Sequence, residues 1–211
     1  LSTTESQWTP EDGCSSDCND LMLFPQAFEP SNGYLVTQWT QYSHVRRAVA
    51  YSIQRTTEKV REQYGSVSPL GLGDMSQYDS DTPGLFEDVL RHDEGSHLHG
   101  NDIDVAYYQT VSNNLGREVC ENDGFFCTAI PDILDAETTA VFVDALLEDP
   151  LVSTIAMDPL IRDVVIAAAD ELGLAPASRF RTVIEAGDEW PRRTIHMHIE
   201  YQYEQSSPIE D

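Results

Sequence analysis

Lysine is almost missing from this chain of 211 residues: of 12 basic residues only Lys59 is a lysine, against 37 acidic ones and a net charge of -25. Such a surface repels nucleic acid and anionic membranes, so neither is expected as a partner. The acidity itself has two readings, solubility or solvation in a salt-rich habitat. Runs of about 18 apolar residues are also missing, which argues against membrane insertion. Leu1 opens a polar segment, not a basic and apolar leader, and the expectation is a soluble chain whose export signal has been removed. Only four cysteines occur, as two local pairs, Cys14 with Cys18 and Cys120 with Cys127, and neither pair has zinc-finger spacing. Oxidised, they would form two disulfides and put the protein in the periplasm or outside the cell; four buried thiols are the alternative.

What is present suits one globular domain: 40% hydrophobic residues, with 9 tyrosines and 7 phenylalanines. Residues 1–33, rich in Ser, Asp, Pro and Gly, read as an irregular arm with a short apolar patch at 21–28. Its acidic cluster of Asp12, Asp17, Asn19 and Asp20 has calcium-binding chemistry but lacks EF-hand spacing. Residues 34–205 read as the folded domain and 206–211 as a tail.

Within the domain, residues 34–39 alternate like a strand, and Val45, Val49, Ile53, Val60 and Tyr64 recur at helical spacing before Gly65. A short buried strand is expected at 69–73, then a polar loop over 76–95 with an apolar turn at Leu85 and Phe86. Residues 102–108 alternate again, and 111–130 form a loop with the second cysteine pair. A second helix follows Asp135, a strand covers 152–156, and Asp158, Pro159 and Gly173 bound a third helix. Strands at 180–184 and 194–203 complete the set. Helices interspersed with strands predict an α+β fold, a central antiparallel sheet flanked by helices.

Of six histidines, five fall in two short segments: His92, His97 and His99, then His196 and His198. In a strand, a period of two sends Asp102 and Asp104 to one face and Ile103 and Val105 to the other. The same period gives His196 and His198 one face and Ile195, Met197 and Ile199 the other. If the two strands are neighbours, two imidazoles and a carboxylate converge, a donor set suited to zinc with a position left open for water.

The run Ser96-His97-Leu98-His99-Gly100-Asn101-Asp102-Ile103-Asp104, with the distant His196-Met197-His198, resembles the penicillin-insensitive murein endopeptidases. These belong to the group that includes lysostaphin-type peptidases, D-Ala-D-Ala peptidases and hedgehog domains. Gly73-Asp74-Met75 is similar to a segment that follows the family's first helix, and the likeness covers about residues 35–203. The resemblance implies a hedgehog or D-Ala-D-Ala peptidase-like fold and one Zn2+ per chain on His97, Asp104 and His198. His196 would stand beside the reacting water, and Asp102 would orient a ligand. The implied reaction is hydrolysis of amide bonds in the peptide cross-links of peptidoglycan.

The chain departs from the family at Glu94 and Arg193, where histidines are usual near the substrate cleft. These two are expected to face one another as an ion pair. His99 replaces a small polar residue and reads as solvent-facing or as a substrate contact. Glu185, Asp188 and Glu189 do not make the Glu-x-x-His spacing of the D-Ala-D-Ala carboxypeptidases, which favours endopeptidase activity. A D,D- or L,D-carboxypeptidase and a zinc-bearing binding module without catalysis remain the alternatives.

Overall fold

The computed structural model describes residues 21–26, 33–79, 81–86, 89–90, 92, 96–174, 180, 183–186 and 193–202. Strand β1 (Leu21–Leu23) is followed by β2 (Tyr34–Val36), a 3-10 turn (Thr40–Tyr42) and β3 (His44–Arg46). Helix α1 (Arg47–Tyr64) then leads to β4 (Leu70–Leu72), the short pair β5 (Leu85–Phe86) and β6 (Val89–Leu90), and β7 (Asp102–Ala106). The chain continues through α2 (Ala136–Leu146), β8 (Val152–Met157), α3 (Pro159–Leu172), β9 (Ile184–Ala186) and β10 (His196–Tyr201).

The main sheet has the order β2-β4-β7-β10-β8-β9, and its centre, β4 through β8, is antiparallel. Both edges depart from the expected antiparallel sheet: β2 pairs with β4, and β8 with β9, in parallel. The reason lies in the connections. α1 lies between β2 and β4, and α3 between β8 and β9, and a helical crossover returns the chain in the same direction.

Helix boundaries follow local chemistry. Val49, Ile53 and Val60 give α1 its buried stripe, and Gly65, at φ 72°, ends it by donating its N–H to the Arg61 carbonyl. Residues 44–46, expected within that helix, form β3 instead, because they pair with β1 in the register Leu21 with Arg46. This also makes residues 21–23 a strand, in a segment expected to be irregular. The expected loop at 76–95 carries β5 and β6. Asp135 caps α2 by accepting from the Thr138 N–H, and Asp158 caps α3 by accepting from Leu160 and Ile161. Losing such a cap costs about 1 kcal/mol. Asp158 also accepts from the Cys127 N–H at 2.8 Å, tying α3 to the loop closed by the Cys120–Cys127 disulfide. Cys14 and Cys18, the acidic cluster of the arm and residues 203–211 lie outside the described residues.

The core lies on one face of the sheet. Ile103, Val105, Met197, Ile199 and Ile155 are buried there with Ile53, Phe142, Leu146, Ile161 and Val165 from the helices. Each such side chain contributes about 1.5–3 kcal/mol by leaving water. α1 packs on α2 and α2 on α3, so the helices form one layer against that face. The alternate residues of β7 and β10 therefore point to the other side. Their register sets His198 opposite Asp104, and Glu200 opposite Asp102.

Gly100, at φ 68°, is so close to β1 and β3 that a Cβ would lie 2.5 Å from Leu21 Cδ1 and 2.8 Å from the Arg46 nitrogen. Gly100→Ala should therefore cost about 2–4 kcal/mol in urea unfolding, from strain and from backbone displaced at the entry to β7. A loss under about 0.5 kcal/mol would show that this approach is not needed.

His44 exchanges two backbone hydrogen bonds with Ser76 and is buried edge-on to Tyr78. Burial, opposed by the nearby charge of Asp79, pushes its pKa down from 6.5 to about 4. Between these values the unfolded chain binds more protons than the folded one, so stability falls as pH drops through this window. His44→Phe should flatten that limb by about 1–3 kcal/mol between pH 7 and 4. Parallel curves for the two proteins would rule the residue out as an acid-sensitive group.

Candidate metal centre

Asp104 lies at the middle of the polar face, 4% exposed. Its backbone is fixed by the strip at 73–74: Gly73 N–H donates to the Asp104 carbonyl at 2.7 Å, and Asp104 N–H to the Asp74 carbonyl at 2.9 Å. Residue 73 has to be small, since a Cβ there would meet the Asp104 Cβ at 3.1 Å.

Four side chains reach the Asp104 carboxylate. His198 Nδ1 is 2.9 Å from Oδ1, Arg193 donates to Oδ1 at 3.3 Å, His97 Nε2 is 3.6 Å from Oδ1, and His196 Nε2 is 3.5 Å from Oδ2. Burial opposes ionisation of Asp104, but the imidazoles of His196 and His97 facing it and the hydrogen bond from His198 outweigh it and hold its carboxyl well below the usual range. The same bond, with Glu200 3.6 Å from Nε2, overcomes burial and raises His198 to about 9.

His97 is completely buried, and neither ring nitrogen makes a hydrogen bond. An unsatisfied buried polar atom costs about 1–3 kcal/mol. Burial also pushes its pKa well below 6.5, which leaves the imidazole neutral, the state that ligates metals. Its backbone is strained as well, at φ 54°, with His99 at 59°. The strain is held by Asp102, whose Oδ2 accepts the His97 N–H at 2.6 Å. Desolvation raises the Asp102 carboxyl to about 6. Asp102 thus holds His97, the residue it was expected to orient if that residue is a ligand, through the main chain and not through the ring.

His92, which had no assigned role in the sequence reading, belongs to the same cluster. Its ring centroid is 4.1 Å from that of His97, and its Nε2 lies 2.8 Å from Asp74 Oδ2. Donor atoms of His92, His97 and Asp104 all lie within 4.8 Å of one another. A histidine holding a carboxylate through one nitrogen and offering the other is the usual support for a metal ligand. The signal was in the sequence, as a third histidine near His97 and the acidic residue of Gly73-Asp74-Met75, but nothing in the spacing joined the two.

His198, expected as a ligand, is 4.7 Å from His97 between ring centroids, but its Nδ1 is engaged by Asp104. His196 is held differently: its Nε2 is 2.6 Å from the Arg193 guanidinium, and burial lowers its pKa to about 4. Arg193, expected at the cleft rim, is buried between Asp104 and His196. Glu94, its expected partner, lies outside the described residues. His99 is partly buried. The Arg193 turn is anchored by its carbonyl, which accepts the Tyr107 hydroxyl at 2.8 Å, and by the Thr194 carbonyl, which accepts the Val119 N–H beside the disulfide.

His97, neutral and with both ring nitrogens buried and without hydrogen bonds, fits a divalent transition metal together with the Asp104 carboxylate and a second imidazole. No family model matches this sequence, and no curated protein matches it. Among the described residues no helix is long and apolar enough to cross a membrane.

Elemental analysis should find about one transition metal per chain, and His97→Ala should lose it. Comparing His92→Ala with His198→Ala identifies the third ligand, since removing a ligand should cost far more affinity than removing a residue bonded to one. Full metal retention in His97→Ala would disprove the centre.

Proposed function

We propose that the chain is a zinc-dependent endopeptidase hydrolysing amide bonds in peptidoglycan cross-links, acting in the periplasm or outside the cell. The observation that carries this reading is the fully buried, neutral His97, without hydrogen bonds on its ring, beside Asp104 in a run that resembles the murein endopeptidases. His97 and Asp104 would hold the ion, with His198, as the resemblance implies, or His92, as the grouping of donor atoms favours, as third ligand. Bound zinc would acidify its water to a pKa of about 7 and polarise the scissile carbonyl.

The chain's own side chains account for the remainder. His196, kept neutral by burial, carries at Nε2 the lone pair that would receive a proton, the atom to which Arg193 is hydrogen-bonded. The Arg193 guanidinium can stabilise negative charge that develops on the substrate. Asp102 and Asp74 hold His97 and His92 in orientation. The apolar inner face of β7 and β10 keeps both strands rigid beneath the site.

A second reading, a zinc-bearing binding module without catalysis, draws on the same Arg193, which engages the atom of His196 that would take the proton. Activity separates the two. Purified protein should digest murein sacculi, a chelator should abolish this, and zinc should restore it. His196→Ala should keep its metal while digestion slows on the order of a hundredfold. Digestion at the wild-type rate by His196→Ala would remove that residue from the mechanism, and inert wild-type protein that retains zinc would favour the binding module.

A further inference from the structure

We infer that Arg193 is a built-in competitor of the metal: it neutralises the Asp104 carboxylate while the centre is empty, and it lowers metal affinity when the centre fills. This inference rests on the metal-centre reading above. Arg193 is 7% exposed, and one guanidinium nitrogen lies 3.3 Å from Asp104 Oδ1 and 2.6 Å from His196 Nε2. A cation therefore already touches the only carboxylate of the His92, His97 and Asp104 group.

Arginine, unlike an imidazole or an amine, does not make way for a metal by deprotonation. Nor is Arg193 a loose surface group: its side chain is buried, with the guanidinium between Asp104 and His196, on a turn whose carbonyls are held by Tyr107 and Val119. A divalent ion on Asp104 would sit within a few ångströms of this fixed charge, where solvent screens poorly. Two effects then act with one sign. Removing the charge relieves repulsion in the filled centre, and it leaves Asp104 less compensated in the empty one. Both should tighten metal binding. A residue that only positioned Asp104 for the metal would do the opposite, because losing it would loosen the ligand.

The test is a competition titration against a zinc chelator, run on zinc-loaded protein so that a variant unstable without metal can still be measured. Arg193→Met, which keeps the apolar stem, and Arg193→Gln should each hold zinc on the order of tenfold or more tighter than wild type. Arg193→Lys, which keeps the charge, should stay within about threefold of wild type. In the same variants, Met and Gln should lower the melting temperature of the metal-free protein more than that of the zinc form. Equal or weaker zinc binding by both Met and Gln, or tightening by Lys as large as by Met, would overturn the inference while leaving the centre intact. If wild-type zinc binding is absent or unaffected by His97→Ala, the underlying metal-centre reading fails instead.

Discussion

Asp104 carries a carboxylate buried to 4% exposure on a strand whose other face is the hydrophobic core. Leaving such a charge alone would cost several kcal/mol, more than any single neighbouring apolar side chain contributes by its burial. Compensation is therefore a condition of the fold. His198 from the adjacent strand, Arg193 from the turn before it, and His97 from the loop before β7 all converge on Oδ1, and His196 lies against Oδ2. The strip at 73–74 holds the backbone beneath, and its Asp74 side chain brings in His92. What reads as a metal centre is also the set of groups that lets the carboxylate stay ionised inside the protein.

The loop that delivers His97 has a separate cost. His97, His99 and Gly100 all have left-handed backbones, and for the two histidines this conformation is intrinsically unfavourable. Asp102 offsets part of it by taking the His97 N–H, and Gly100 fits where no side chain can, against β1 and β3. Arg46 closes the loop by donating from Nε to Asn101 at 2.8 Å and from its backbone to Gly100. The loop is thus packed against the small β1 and β3 pair, with Leu21 and Arg46 beside Gly100. Strain of this kind collects where a side chain must be held in one orientation.

Much of the fold was legible in the sequence because its signals are local. The period of two in Asp102 to Val105 and in His196 to Ile199 separates core from polar face, and the burial of Ile103, Val105, Met197 and Ile199 follows it. Asp158, Pro159 and Gly173 marked α3 by capping chemistry that needs no distant partner. Less legible were β1 and β3, whose strand character comes from each other, and the parallel edges of the sheet, which come from the path of α1 and α3. Helical spacing absorbed Val45 into α1 because a three-residue strand is too short to show a period of its own.

At the candidate site, the residue types and the polar face of each of the two strands were determined by the sequence, since alternation along a strand depends on neighbours in the chain; that the two strands pair was not. The tertiary structure decided which side chain meets which. It brought His92 to His97 through Asp74, set His198 against Asp104 through the strand register, and buried Arg193 between Asp104 and His196. None of these is encoded in spacing, because each joins segments whose separation in space depends on how the whole sheet and its loops close around one buried charge.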